Sequence, residues 1–197
     1  KSVTSSGSAA LKSATPQGTA DNRTDLSDGK ETANCYLVGA PGFYKLPLVY
    51  GNARKSDGTP NTDAFKPSGF SQFTDHAGSG IEGPNIYDRY SPADCCLIWQ
   101  DEPGLVKNVS LSADGHFLQF DVEQSSIIEG NAVVAVRDAS GTVLWSWHIW
   151  VTDYTLGTGD GTIKIATPET PSEGKRNIVD YTFAARPIGY CSPKTTT

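Results

Sequence analysis

The stretch Val143–Thr152 constrains the fold more than any other part of the chain. Val143, Trp145, Trp147, Ile149 and Val151 fall at every second position, and Leu144, Ser146, His148, Trp150 and Thr152 fall between them. Successive side chains on a strand point to opposite faces, so one face is wholly apolar and the other mixed. A helix would scatter the same residues around its circumference. The segment is therefore predicted to be a central strand with its apolar face against a second sheet. The turn Asp138-Ala139-Ser140-Gly141 precedes it, and Asn131–Val136 supplies the first arm of a hairpin.

Other segments follow the same period. In His116–Val122, Leu118, Phe120 and Val122 share a face, and in Ile178–Ala185, Val179, Tyr181, Phe183 and Ala185 do so. Asn34–Val38, Phe43–Tyr50, Cys95–Gln100, Val106–Leu111 and Thr162–Ala166 are shorter strand candidates. Pro47 lacks an N–H, so its strand is expected to lie at an edge or to be interrupted there. No apolar stripe of period 3.6 and helical length is visible. Charged residues are only 19%, with 20 Gly and 12 Pro, which favours strands and turns over surface helices. The expected fold class is all-β: a two-sheet immunoglobulin-like or transthyretin-like sandwich with a long inserted loop.

Residues 1–28 are rich in Ser, Thr, Ala and Gly and are expected to form a flexible tail or linker. The sandwich domain is then 29–197, with an insertion at 51–94 punctuated by Gly51-Asn52, Asp57-Gly58-Thr59-Pro60 and Gly83-Pro84. Phe65, Phe70, Phe73, Tyr87 and Tyr90 in that insertion imply that it is partly ordered.

Charge excludes one class of partner. The net charge of −6 and the lack of any cationic run argue against nucleic acid. No apolar stretch approaches the roughly 18–20 residues that span a bilayer, so the chain is not expected to be transmembrane. The 19 aromatic residues argue against wholesale disorder. The chain holds no methionine, so Lys1 is expected to be a processing point or a cut boundary. Of four cysteines, Cys95 and Cys96 are adjacent and would point to opposite strand faces; one disulfide at most is expected, with buried free thiols as the alternative. Asn22-Arg23-Thr24 and Asn108-Val109-Ser110 fit the glycosylation pattern.

No catalytic constellation, cofactor site or metal site stands out. His148 and Asp153 are five apart and face oppositely on a continuous strand, while Ser146 sits too far along the strand to meet His148 directly. A structural histidine is expected. Asp101-Glu102 beside Pro103-Gly104 is expected to be a solvated turn, and Gly157–Gly161 lacks both the ligand ladder of a calcium loop and the lysine of a phosphate loop. Exposed aromatic rings on loops can stack on sugars, which makes Phe70, Phe73, Tyr87 and Tyr90 the candidate glycan-binding residues.

Two blocks carry a resemblance. One is Glu31–Val38 followed by Pro41-Gly42-Phe43-Tyr44; the other runs from Gly130 through the tryptophan strand to Asp153. Together they resemble a module of fimbrillin-like surface lipoproteins and pilus-associated proteins of Bacteroidetes, over roughly residues 30–153 but without the 51–94 insertion or the tail after 160. The resemblance implies a secreted protein of the cell surface or fimbrium, associated with the outer membrane. Its implied partners are neighbouring pilus subunits or other surface proteins, joined by β-strand addition. Ile178, Val179, Tyr181 and Phe183 are the candidate donor strand. The expected function is a non-catalytic pilus subunit or tip-like adhesin, and the alternative is a glycan-binding module of a surface polysaccharide-processing protein.

Overall fold

The computed structural model describes residues 3–4, 6–157, 159–166, 178–192 and 195–196. The chain divides into two compact units: Lys1–Asp153 with Cys191–Thr197, and Tyr154–Tyr190. In chain order, the first unit holds β1 (Val3–Thr4), helix α1 (Ser6–Ser13), β2 (Thr24–Asp25), β3 (Cys35–Val38) and β4 (Gly42–Pro47). It continues with β5 (Asp94–Gln100), β6 (Lys107–Leu111), β7 (Phe117–Val122), β8 (Gly130–Arg137) and β9 (Val143–Val151). The second unit holds β10 (Gly161–Ala166) and β11 (Ile178–Phe183), and β12 (Thr195–Thr196) pairs with β1.

The first unit is an all-β sandwich of two four-stranded sheets, ordered β2-β4-β7-β6 and β3-β9-β8-β5. Each is mixed: β2 lies parallel to β4, and β3 parallel to β9, while the other pairs are antiparallel. Leu46, Leu118, Phe120 and Val122 from one sheet, and Val134, Val136, Trp147, Ile149 and Val151 from the other, are buried in one core. This is the inward half of the period-2 pattern on β7, β8 and β9. β4 ends at Pro47, where the ladder would need an N–H.

The hairpin β8–β9 forms because Asp138 organises its turn. The Asp138 carboxylate accepts the N–H groups of Ser140 and Thr142, and Gly141 takes the left-handed conformation at φ +85°. Strict alternation fails at one place on β9. Arg137 pairs with Val143 and Val136 with Trp145, so Leu144 is the extra residue of a bulge. Leu144 is therefore buried, whereas Val143 is 38% exposed and Trp145 half-buried, against the expectation that both line the core.

Residues 1–28 are not a tail in the described structure. Their segment Ser6–Ser13 is a helix too short to show a stripe in sequence, and its Leu11 is fully buried in the sandwich core. Gln17 bridges to Gly42, and β2 extends the first sheet. Arg23 donates to Asp121 Oδ1 at 2.7 Å and to the Phe120 carbonyl at 3.0 Å, which explains how Asp121 can be buried on β7. Nor is 29–197 one sandwich, because Tyr154–Tyr190 forms its own unit. There β11 pairs antiparallel with β10, from Gly161↔Phe183 to Ala166↔Ile178. The Asp160 carboxylate accepts the Tyr154 hydroxyl and the N–H groups of Gly157 and Ala185, which ties the glycine loop and the end of β11 to one aspartate. The insertion 51–94 is held by bridges such as Val49↔Asn85 and Thr74↔Gly80, and it buries Phe65, Ile81 and Ile86.

Candidate functional site

The four candidate glycan-binding aromatics separate into two kinds. Phe70 and Phe73 present their rings to water, at 81% and 57% exposure. Tyr87 and Tyr90 instead pack against the core. Tyr87 stacks on His116 at 4.1 Å, and Tyr90 donates its hydroxyl to Asp75 Oδ2 at 2.6 Å. Both tyrosines hold the insertion down.

Beside them lies a cavity of about 380 Å³, lined by Tyr50, Asp75, Asn85 and Arg89 among others. The Asp75 side chain is wholly screened from solvent and accepts the N–H groups of Ala77 and Ser79 as well as the Tyr90 hydroxyl. Burial alone would raise its pKa, but those hydrogen bonds and the Arg89 charge outweigh it and hold the carboxyl below its usual value. Tyr50 is 6% exposed, and its hydroxyl has no hydrogen-bond partner among the described residues. A buried hydroxyl left unpaired costs about 1–3 kcal/mol, so Tyr50 carries a polar group at the cavity wall that its described surroundings leave unsatisfied. Burial also raises the Tyr50 pKa, keeping it a neutral donor. An adjoining groove is lined by Tyr50, Phe73 and Trp145. Trp145 sits edge-on to Tyr50 at 5.1 Å and donates Nε1–H to Asn34 Oδ1 at 2.9 Å. Trp145 thus belongs to a surface groove as much as to the core.

The depressed Asp75 pKa has a measurable consequence. A folded value below the unfolded one stabilises the fold above the ordinary carboxylate pKa, about pH 4, and the contribution is lost as pH falls through the folded value. Asp75→Asn is expected to lower stability at pH 7 and to make the acid limb of the stability–pH curve shallower. An acid limb superimposable on the wild type would contradict this.

A second arrangement crosses the other sheet, on the face opposite Trp147 and Ile149. Cys35 on β3 is the register partner of His148 on β9. Their side chains meet, with Cys35 Sγ 3.2 Å from His148 Nδ1. The other ring nitrogen, Nε2, lies 2.8 Å from Asn131 Oδ1 on β8. Asn131 in turn donates Nδ2–H to Asp101 Oδ2 at 3.0 Å and its backbone N–H to Asp101 Oδ1 at 2.8 Å, just past the end of β5. These contacts fix the proton positions. The amide nitrogen of Asn131 must face the carboxylate, so its oxygen faces the imidazole and accepts the proton on Nε2. Nδ1 then carries the lone pair, and the Cys35 thiol donates to it. Burial pushes the Cys35 thiol up to about 11 and holds His148 below the ordinary imidazole value, so both rest neutral near pH 7.

Sequence spacing led to Ser146 and Asp153 as the residues to weigh against His148, and the structure pairs it with neither. Its partners come from positions 35 and 131, and only the parallel β3–β9 pairing brings Cys35 there. All four cysteines are free thiols. Cys95 is buried, with burial raising its thiol to about 12, whereas Cys96 and Cys191 are half-buried. Among the described residues no group of three or more His, Cys, Asp or Glu is placed to hold a metal ion. No helix among them is long and apolar enough to cross a membrane. The chain matches no protein-family model, no curated protein and no solved structure.

Proposed function

We propose that this chain is a non-catalytic secreted surface protein, a fimbrillin-like pilus subunit or tip-like adhesin of the cell surface or fimbrium, associated with the outer membrane, whose copies join by β-strand addition. The observation that carries this reading is the outer edge of β5. β5 ends its sheet: among the described residues β8 is its one hydrogen-bonded strand partner, while β6 at the edge of the other sheet approaches it without joining its ladder. A register shift between Leu97 and Trp99 makes Ile98 the extra residue, and Ile98 and Trp99 are 51% and 52% exposed. An edge strand with no second backbone partner and with adjacent bare apolar side chains is a template for an incoming strand, whose backbone supplies hydrogen bonds and whose side chains cover Ile98 and Trp99. In support, the candidate donor segment Ile178–Phe183 belongs to neither four-stranded sheet. It stands in a two-stranded hairpin, with Tyr181 and Phe183 about half exposed, and isolated two-stranded hairpins are marginal on their own. The side chains of Ile178 and Val179 lie outside the described ones.

Electron microscopy and light scattering over a concentration series test this reading. The wild type is expected to form concentration-dependent assemblies, and Ile98→Lys with Trp99→Lys to abolish them while leaving the folded monomer intact. Assemblies indifferent to those two charges, or a monomer at every concentration, would refute it.

The Tyr50 cavity favours a second reading, capture of a glycan. Tyr50→Phe removes the unpaired hydroxyl and is expected to keep or slightly raise stability. On a glycan array Phe73→Ala, which removes an exposed ring from the adjoining groove, should lose whatever sugar binding the wild type displays, and an array on which the wild type binds nothing would dispose of this reading.

A further inference from the structure

The row Cys35–His148–Asn131–Asp101 is more ordered than a packed sheet surface requires. Each member lies in a different part of the same sheet: β3, β9, β8 and the turn after β5. The chain of contacts runs thiol to imidazole at 3.2 Å, imidazole to amide oxygen at 2.8 Å, and amide nitrogen to carboxylate at 3.0 Å. A nucleophile in reach of a base, with the base held by a third group, is the arrangement by which triads are recognised on unrelated folds. The amide sets the imidazole tautomer so that the lone pair, not the proton, faces the sulfur. Reversing the Asn131 amide would break its bond to Asp101, so the orientation is enforced from behind. Asp101 is fixed in its turn, since its N–H donates to the Asn131 carbonyl at 3.0 Å and its carboxylate accepts the Asn131 N–H at 2.8 Å. Cys35 is half-buried and not sealed within the core.

We propose that Cys35 is a nucleophilic thiol with His148 as its proton acceptor and with Asn131 and Asp101 as positioning residues, a site that takes an acyl group from an activated carbonyl donor such as a thioester or aryl ester. The Cys35 S–H bond breaks and its proton passes to His148 Nδ1. The sulfur lone pair forms the new bond to the carbonyl carbon. The bond from that carbon to the leaving group then breaks, and the leaving group departs with the proton from His148. The acyl group has moved to sulfur with no change in oxidation state, so no further reactant is needed. With thiol and imidazole both neutral at rest, the nucleophile exists only while His148 holds the proton, and the imidazolium so formed gains from the Asn131 oxygen and the nearby Asp101 charge. The titratable groups around the imidazole are Cys35 from β3 and Asp101 beyond β5, with the Cys191 thiol against Asn131 at 3.5 Å.

The test is acylation of the full folded chain by p-nitrophenyl acetate, with the modified cysteine located by mass spectrometry. The expected result is a burst of about one equivalent of nitrophenolate per chain and acetyl on Cys35, absent from Cys35→Ala. Loss of base assistance in His148→Gln is expected to slow the burst by about 10²-fold or more. An isolated thiol reacts about tenfold faster per pH unit below its pKa. Cys35 should instead reach a plateau once His148 is neutral, and Asn131→Ala should lower that plateau, since only the tautomer with a bare Nδ1 accepts the proton. If His148→Gln does not fold, two wild-type readings still decide: the pH plateau and the rate at Cys35 relative to the half-buried Cys96. A Cys35 rate no greater than that of Cys96, a tenfold climb per pH unit, or an unchanged rate in a folded His148→Gln variant would each overturn the proposal.

Discussion

Replacing Trp147 by alanine is expected to destabilise the sandwich by about 3–5 kcal/mol, the range for a large buried aromatic. Trp147 is 1% exposed and pairs across β9 and β8 with Val134, itself fully buried. The site has strands on both sides, so it cannot collapse readily around a void. One feature separates two variants here. Trp147 Nε1 is buried with no hydrogen-bond partner among the described residues. Trp147→Phe keeps most of the ring and removes that unpaired donor, which is worth about 1–3 kcal/mol to lose. It should therefore cost far less than alanine. Trp145→Ala, at a half-buried position on the groove, should fall between the two. Denaturant midpoints at constant slope measure all three. A loss below about 1 kcal/mol for Trp147→Ala would mean that this face is not core.

Deleting residues 1–28 is expected to leave the chain largely unfolded. Leu11 alone, fully buried, is worth about 2–5 kcal/mol against alanine. The Arg23–Asp121 pair has side chains only 12% and 11% exposed, and breaking a buried pair from one side costs about 3–5 kcal/mol because the other charge is left uncompensated. Asn108 Nδ2 also donates to Asp121 at 2.7 Å, but a neutral amide does not replace the guanidinium. Together these losses are comparable to the roughly 5–15 kcal/mol of a whole domain. Arg23→Ala and Leu11→Ala should each lower the denaturation midpoint, and the truncated chain should lose its near-ultraviolet circular dichroism. A truncated chain that melts like the full one would show that the segment is a tail after all.

The local half of this fold was legible in the sequence, and the non-local half was not. The β8–β9 hairpin announces itself through Asp138, Gly141 and alternating apolar residues within a few positions of one another. β7 is read as easily from Leu118, Phe120 and Val122. The parallel pairing of β3 with β9 joins positions 35 and 148 and leaves no mark in either segment. The thiol–imidazole contact was hidden for that reason, since Cys35 and His148 look like isolated residues until the register aligns them. The first 28 residues mislead differently. Their composition is that of a linker, and their docking depends on one leucine and one arginine. Leu144 misleads through geometry, because a single bulged position moves it inward and turns Val143 outward.

Hydrogen exchange along β5, measured on dilute and on concentrated protein, tests the assembly reading most directly. The alternate N–H groups of Asp94–Gln100 that point away from β8 should exchange freely in the dilute monomer and become protected as copies associate, with Trp99 fluorescence shifting in step. Association that leaves those amides exposed, or protects another edge instead, would contradict strand addition at β5.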